Sequence, residues 1–138
     1  MSLRNLLLFS LTAVLALPLT ATADDAAKES STMVYELRTY TTHPGKLDDL
    51  HKRFRDHTMQ LFEKHGIKNI GYWVPADKPN TLIYLIVHKS RKAADQSWKE
   101  FREDPEWKQV AKASEQNGKI VMHVDSNYLT PTDYSPLK

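Results

Sequence analysis

Six consecutive residues, Leu82-Ile83-Tyr84-Leu85-Ile86-Val87, are apolar without a break. A strand that lies against a core on one side and water on the other alternates apolar with polar residues. An unbroken run of strand length, closed off by turn residues, requires cover on both faces. Pro75 to Asn80, with two prolines and an asparagine, closes this run on one side, and Ser90 closes it on the other. The rest of the chain must therefore supply two layers, one for each face.

The remaining pattern predicts where the first layer comes from. Val34 to Thr41 is rich in Val, Tyr and Thr and reads as a strand. His43-Pro44-Gly45 breaks it, with Pro44 suited to a first helical position because its missing N–H would be unpaired there. Leu47, Leu50, Phe54, Thr58 and Leu61 recur at three and four residues, predicting a helix to about His65 that Gly66 stops. Asp49, Arg53 and His57 climb a neighbouring, charged face of that helix. Ile67 to Val74 forms the second strand and Leu82 to Val87 the third. Ser90 caps a second helix with Ala94, Ser97, Trp98 and Phe101 on its inner face. Asp104-Pro105 opens a third, with Trp107, Val110, Ala111 and Ser114 inward, and Asn117-Gly118 ends it before a last strand over Ile120 to Leu129. The order β-α-β-β-α(α)-β is that of a ferredoxin-like α+β fold, a four-stranded antiparallel sheet with right-handed crossovers placing all helices on one face. Helices cover one side of the apolar strand. The economical cover for the other is the sheet of a second copy, giving a homodimer through the sheet face.

The N-terminus points to export. Arg4, the apolar run from Leu6 to Leu17, Pro18 and Ala21-Thr22-Ala23 match a secretory signal peptide cleaved after residue 23, and the apolar segment stops short of the about 20 residues a spanning helix needs. Residues 24–32 then read as a disordered leader, 33–130 as the folded domain and 131–138 as an extended tail. The expected location is periplasmic or secreted, with no membrane attachment after cleavage. The 138 residues contain no cysteine, so neither disulfides nor thiolate metal sites hold the fold. A net charge of +2 gives no electrostatic reason to expect nucleic acid as a partner.

Tyr35-Glu36-Leu37-Arg38-Thr39-Tyr40 followed by Pro44-Gly45-Lys46 resembles the opening motif of the NIPSNAP family. So do Glu63-Lys64-His65-Gly66, Gly71-Tyr72-Trp73 and Asp104-Pro105-Glu106-Trp107, in the same order. The resemblance covers about Val34 to Val110 and implies a dimeric α+β barrel, two sheets face to face with helices outside. Eukaryotic members of that family are mitochondrial and associated with adaptor and trafficking roles. The wider superfamily includes haem-degrading and cofactor-independent monooxygenases, isomerases and decarboxylating enzymes. The family supplies no agreed catalytic set, so the resemblance carries fold rather than chemistry.

Glu36, Arg38 and Tyr40 alternate along the first strand and share one face. They either hold an anionic or carbonyl-bearing ligand, or form an ion pair that fixes register within or between subunits. Arg38 and Tyr40, the two candidates for a catalytic role, are expected to face the space between helices and sheet. His57 lies toward the edge of the first helix's apolar face and is a candidate to reach the same space. Trp73 and Tyr84 are candidate pocket residues, whereas Trp98 and Trp107 read as packing anchors. Six histidines lack H-x-H or H-E-x-x-H spacing, so no metal is expected, although His88 and His123 come from different strands and their convergence is open. His65, in the last helical turn, suits the helix dipole. No cofactor is expected, since phosphate-loop and dinucleotide fingerprints are missing. Two functions follow: a module binding a small apolar molecule or a partner, or a cofactor-independent oxygenase or isomerase acting on a small apolar or aromatic substrate in the helix–sheet cavity.

Overall fold

The computed structural model describes residues 33–137. The expected signal peptide and the leader, residues 1–32 together, lie outside the described residues. Strand β1 spans Val34–Thr42. The first helix follows in three continuous parts: α1 over Leu47–Arg53, a π turn over Phe54–Thr58, and α2 over Met59–Lys64. Strands β2 (Lys68–Trp73) and β3 (Thr81–His88), helices α3 (Arg91–Glu103) and α4 (Pro105–Ser114), and strand β4 (Val121–Leu129) complete the chain. The strands form one antiparallel sheet in the order β2-β3-β1-β4, the ferredoxin-like arrangement the sequence predicts.

Strand β3 shows why its sequence is apolar throughout. Leu82, Tyr84 and Ile86 point to the helices, where they join Leu50, Phe54, Leu61, Phe62, Trp98 and Phe101 in the core. Ile83, Leu85 and Val87 point the other way and pair across β1 with Thr39, Leu37 and Tyr35. Among the described residues no helix lies on that second face: Ile83 and Leu85 are only half-buried, though Val87 and Tyr35 are buried. On β2, Trp73 belongs to the same outer face and folds back over Gly71. A methyl group on Gly71 would lie 2.5 Å from the indole, so glycine is what lets the ring lie flat there.

Ser90, Asp104-Pro105 and Gly66 act as predicted, whereas Pro44, expected at a first helical position, lies in a turn ahead of α1, which begins at Leu47. Ser90 Oγ accepts from the Ala93 N–H at 3.0 Å, and the Asp104 carboxylate accepts from the Glu106 N–H at 2.7 Å with Pro105 at the first helical position. Gly66 has φ +74°, the left-handed conformation that ends the first helix. Replacing the buried Ser90 by alanine is expected to cost about 1 kcal/mol. That corresponds to a fall in Tm of roughly 4 °C or more for a domain of this size, measurable by calorimetry.

Two expectations need correction. The first helix is not an uninterrupted α-helix. At Thr58 the side-chain hydroxyl donates to the Arg53 carbonyl at 3.1 Å, one way a hydroxyl competes with backbone pairing, and the turn widens to π geometry there. Nor does Arg53 pair with Asp49 along its own helix, as the i, i+4 spacing suggests. It is 6% exposed, lies over the Trp107 ring at 5.4 Å and donates to Ser114 and Glu115 at 3.3 and 3.4 Å. Beyond Leu129 the described tail forms no helix or strand, and Tyr134 in it is 83% exposed.

Candidate ligand-binding site

The even-numbered residues of β1 face the helices, so Glu36, Arg38 and Tyr40 lie together under α3. Glu36 is fully buried. Its carboxylate accepts from Arg38 Nη1 at 2.5 Å, Ser126 Oγ at 2.6 Å, Trp98 Nε1 at 2.7 Å and His88 Nε2 at 2.9 Å. Burial alone would raise its pKa. The bonds from His88, Ser126, Trp98 and Arg38 outweigh that and hold it at about 2, so the group is a carboxylate at any physiological pH.

Arg38 is thereby fixed from one side by Glu36. Its guanidinium lies 4.4 Å from the Trp98 ring centre and 5.5 Å from that of Tyr40, a stacked cation in an aromatic slot. The remaining donors are weakly used. Nη2 has one long contact, 3.4 Å to the Tyr40 hydroxyl, and the buried Nε has no partner. Arg38 and Tyr40 line a cavity of about 530 Å³ between β1, β4, α3 and α4, walled by Trp98, Phe101, Trp107 and Tyr128. Both therefore face the space between helices and sheet, as expected of them, a choice of side that the alternation along β1 does not make.

A family model for NIPSNAP matches residues 35–136 of this chain. The chain belongs to the NIPSNAP family. Among curated proteins none matches. The solved structures that do include a NIPSNAP family protein with unknown function from Agrobacterium tumefaciens, 19% identical with a TM-score of 0.68 over 78% of this chain and 96% of that one. A NIPSNAP-like domain protein from Burkholderia xenovorans is 18% identical, with a TM-score of 0.67 over 77% and 90%. SnoaB, a cofactor-independent oxygenase from Streptomyces nogalater, is 16% identical with a TM-score of 0.56 over 76% and 98%. At such identities the likeness carries the fold alone.

In this NIPSNAP chain the other candidate residues lie apart from the Arg38 slot. Tyr84 is the cross-strand neighbour of Arg38 but is wholly buried in the core, stacked on Tyr72 at 5.2 Å, with no hydrogen-bond partner for its hydroxyl. Burial raises its pKa well above the ordinary tyrosine value. Trp73, 54% exposed, lines a smaller cavity of about 290 Å³ beside Phe54, Met59 and Tyr72. His57 does not reach the helix–sheet space. It is exposed on the π turn and lines a groove of about 550 Å³ against α4, with Arg53 at its side. His88 and His123 do not converge: His88 is buried on Glu36, and His123 is exposed at the opposite end of the sheet beside Asp125. Among the described residues no group of three or more His, Cys, Asp or Glu is placed to hold a metal ion.

Three residues of the site carry roles that the sequence reading missed. Trp98 packs as expected but also donates its indole N–H to Glu36. His88 continues the inward period of Tyr84 and Ile86 along β3, a signal available in the sequence. Ser126 faces Glu36 only because β4 pairs with β1 in a register that sets Ser126 opposite Arg38. His65 likewise has a partner other than the helix dipole. Its Nε2 lies 2.7 Å from the Asp104 carboxylate, which also takes Lys64 at 2.8 Å. Lys64 first, then His65, hold Asp104 well below the usual carboxylate range, tying the end of the first helix to the start of α4.

Proposed function

We propose that this chain is an exported, homodimeric small-molecule-binding protein whose ligand, a small apolar or aromatic compound, occupies the cavity between α3, α4 and the sheet. The observation that carries the reading is Arg38: a guanidinium set against Trp98 at the wall of a cavity rich in aromatic residues, anchored by Glu36, with Nη2 only weakly used within the chain. The cavity sets five aromatic side chains beside five charged or polar ones, in a concave site of the size small molecules occupy.

Binding is favoured over oxygenase or isomerase chemistry by the state of the carboxylate. A general base works best with a pKa near the working pH, and Glu36 at about 2 with four donors is a poor one. The imidazole nearest the cavity, His88, has its Nε2 turned to Glu36. Self-association is supported by the uncovered apolar sheet face of Leu37, Ile83 and Leu85. Export is supported by the N-terminal pattern of residues 1–23. No helix among the described residues is long and apolar enough to cross a membrane.

Native mass spectrometry of protein purified from an exporting host tests this directly. A dimer that retains, or takes up on addition, an aromatic small molecule is expected. A chain that stays monomeric at micromolar concentration, or a dimer that takes up no such molecule, contradicts the reading.

A further inference from the structure

The charges lining the cavity balance in number, two carboxylates against two guanidiniums, but not in pairing. Glu36 is occupied by its four donors. Asp95, the other carboxylate at the cavity, is held in a short ion pair by Arg91, whose guanidinium also lies 3.9 Å over the Tyr128 ring. Against these stand two lining cations. Arg38 keeps Nε without a partner and Nη2 with one long contact. Arg102 stands one helical turn beyond Trp98 on α3, on the same side of the helix, and forms no ion pair or hydrogen bond among the described residues. With Glu36 set against Arg38 and Asp95 against Arg91, one positive charge at the cavity, that of Arg102, is left unmatched.

We propose that the ligand is a planar aromatic monoanion, in the simplest case an aromatic carboxylate, held by Arg38 and Arg102 with its ring system against Trp98 and Trp107. The inference rests on the cavity being the binding site and adds the charge of what it binds. A guanidinium pairs with the two oxygens of a carboxylate through parallel N–H donors, a match that a neutral oxygen lacks. An aromatic wall stacks the ring body at offset or edge-on geometry. A cationic ligand meets an unmatched cation, and a neutral one leaves Arg102 without an anionic partner, so the same cavity selects against each.

Calorimetric titration of the whole dimeric protein with 2-naphthoate, 2-naphthylmethanol and 2-naphthylmethylammonium tests the assignment. These probes share a ring system and differ in charge. The naphthoate is expected to bind about tenfold more tightly than the alcohol, and the ammonium more weakly than either, as charge-assisted hydrogen bonds predict. Raised salt and Arg102→Gln should each narrow the gap between naphthoate and alcohol. Arg102 is exposed and unpaired, so its replacement leaves the fold intact, which the Tm of the variant checks. Alcohol and naphthoate binding equally well overturns the anion assignment while leaving the cavity as a binding site. An unchanged gap in Arg102→Gln overturns the role of Arg102. Failure of all three probes to bind overturns both the assignment and the cavity reading.

Discussion

Glu36→Ala is expected to destabilise the folded chain by about 3–5 kcal/mol, the range seen when one partner of a buried ion pair is removed. The substitution does more than delete an acid. It leaves Arg38 Nη1, the Trp98 indole N–H, the Ser126 hydroxyl and the His88 ring without their acceptor, and of these the Trp98 and His88 side chains are buried. Against a total stability of about 5–15 kcal/mol for a typical domain, such a loss leaves little margin. Urea unfolding followed by tryptophan fluorescence measures it. Replacing Glu36 and Arg38 together by leucine and methionine should cost less than Glu36→Ala, because the orphaned cation goes with its partner. A double variant as unstable as the single would mean that the pair contributes little to the cost.

The same carboxylate dictates an acid limb. Its folded pKa, about 2, lies below the ordinary value of 4.5. The lowering therefore stabilises the fold fully above pH 4.5, and the contribution is lost as pH falls from there toward 2. The gap corresponds to a stabilisation on the order of 3 kcal/mol. Glu36→Gln cannot titrate there. Wild-type and variant stabilities should differ most near neutral pH and approach one another toward pH 2.

The second large effect concerns the outer face of the sheet. Leu85→Arg places a charge at the centre of the patch formed with Leu37 and Ile83, and, on the proposed pairing through this face, is expected to weaken self-association by more than about a hundredfold. Leu85 points away from the helices, so the helix-side core is untouched and the variant should fold. Sedimentation velocity at micromolar concentration reads the result. A folded monomer supports the sheet face as the interface. A variant that remains dimeric places any interface elsewhere on the surface.

The fold was largely legible because its signals are local. The six apolar residues of β3, the hydroxyl of Ser90, the Asp104-Pro105 pair and Gly66 each act within a few residues of themselves, and each is found where its chemistry requires. The alternation along β1 likewise put Glu36, Arg38 and Tyr40 on one face. What local chemistry could not supply was the partner of each. Ser126 reaches Glu36 across 90 positions of chain, and Trp98 across 62, through strand register and helix packing that no short pattern encodes. Arg53 was misread for a related reason. Helical spacing gives the direction of a side chain but not what waits there, and Trp107 on α4 turns a charged position into a buried one. His57 followed the same error from the other side, since the π turn and the position of α4 decide which groove it borders.

Hydrogen–deuterium exchange of the protein with and without 2-naphthoate is the measurement that most directly tests whether the Arg38 cavity is the binding site. Slowed exchange over residues 35–40, 95–102 and 126–128 is the predicted result, since these segments enclose the cavity. Protection confined to residues 49–57 and 106–114 would put the ligand in the groove beside His57 and contradict the account.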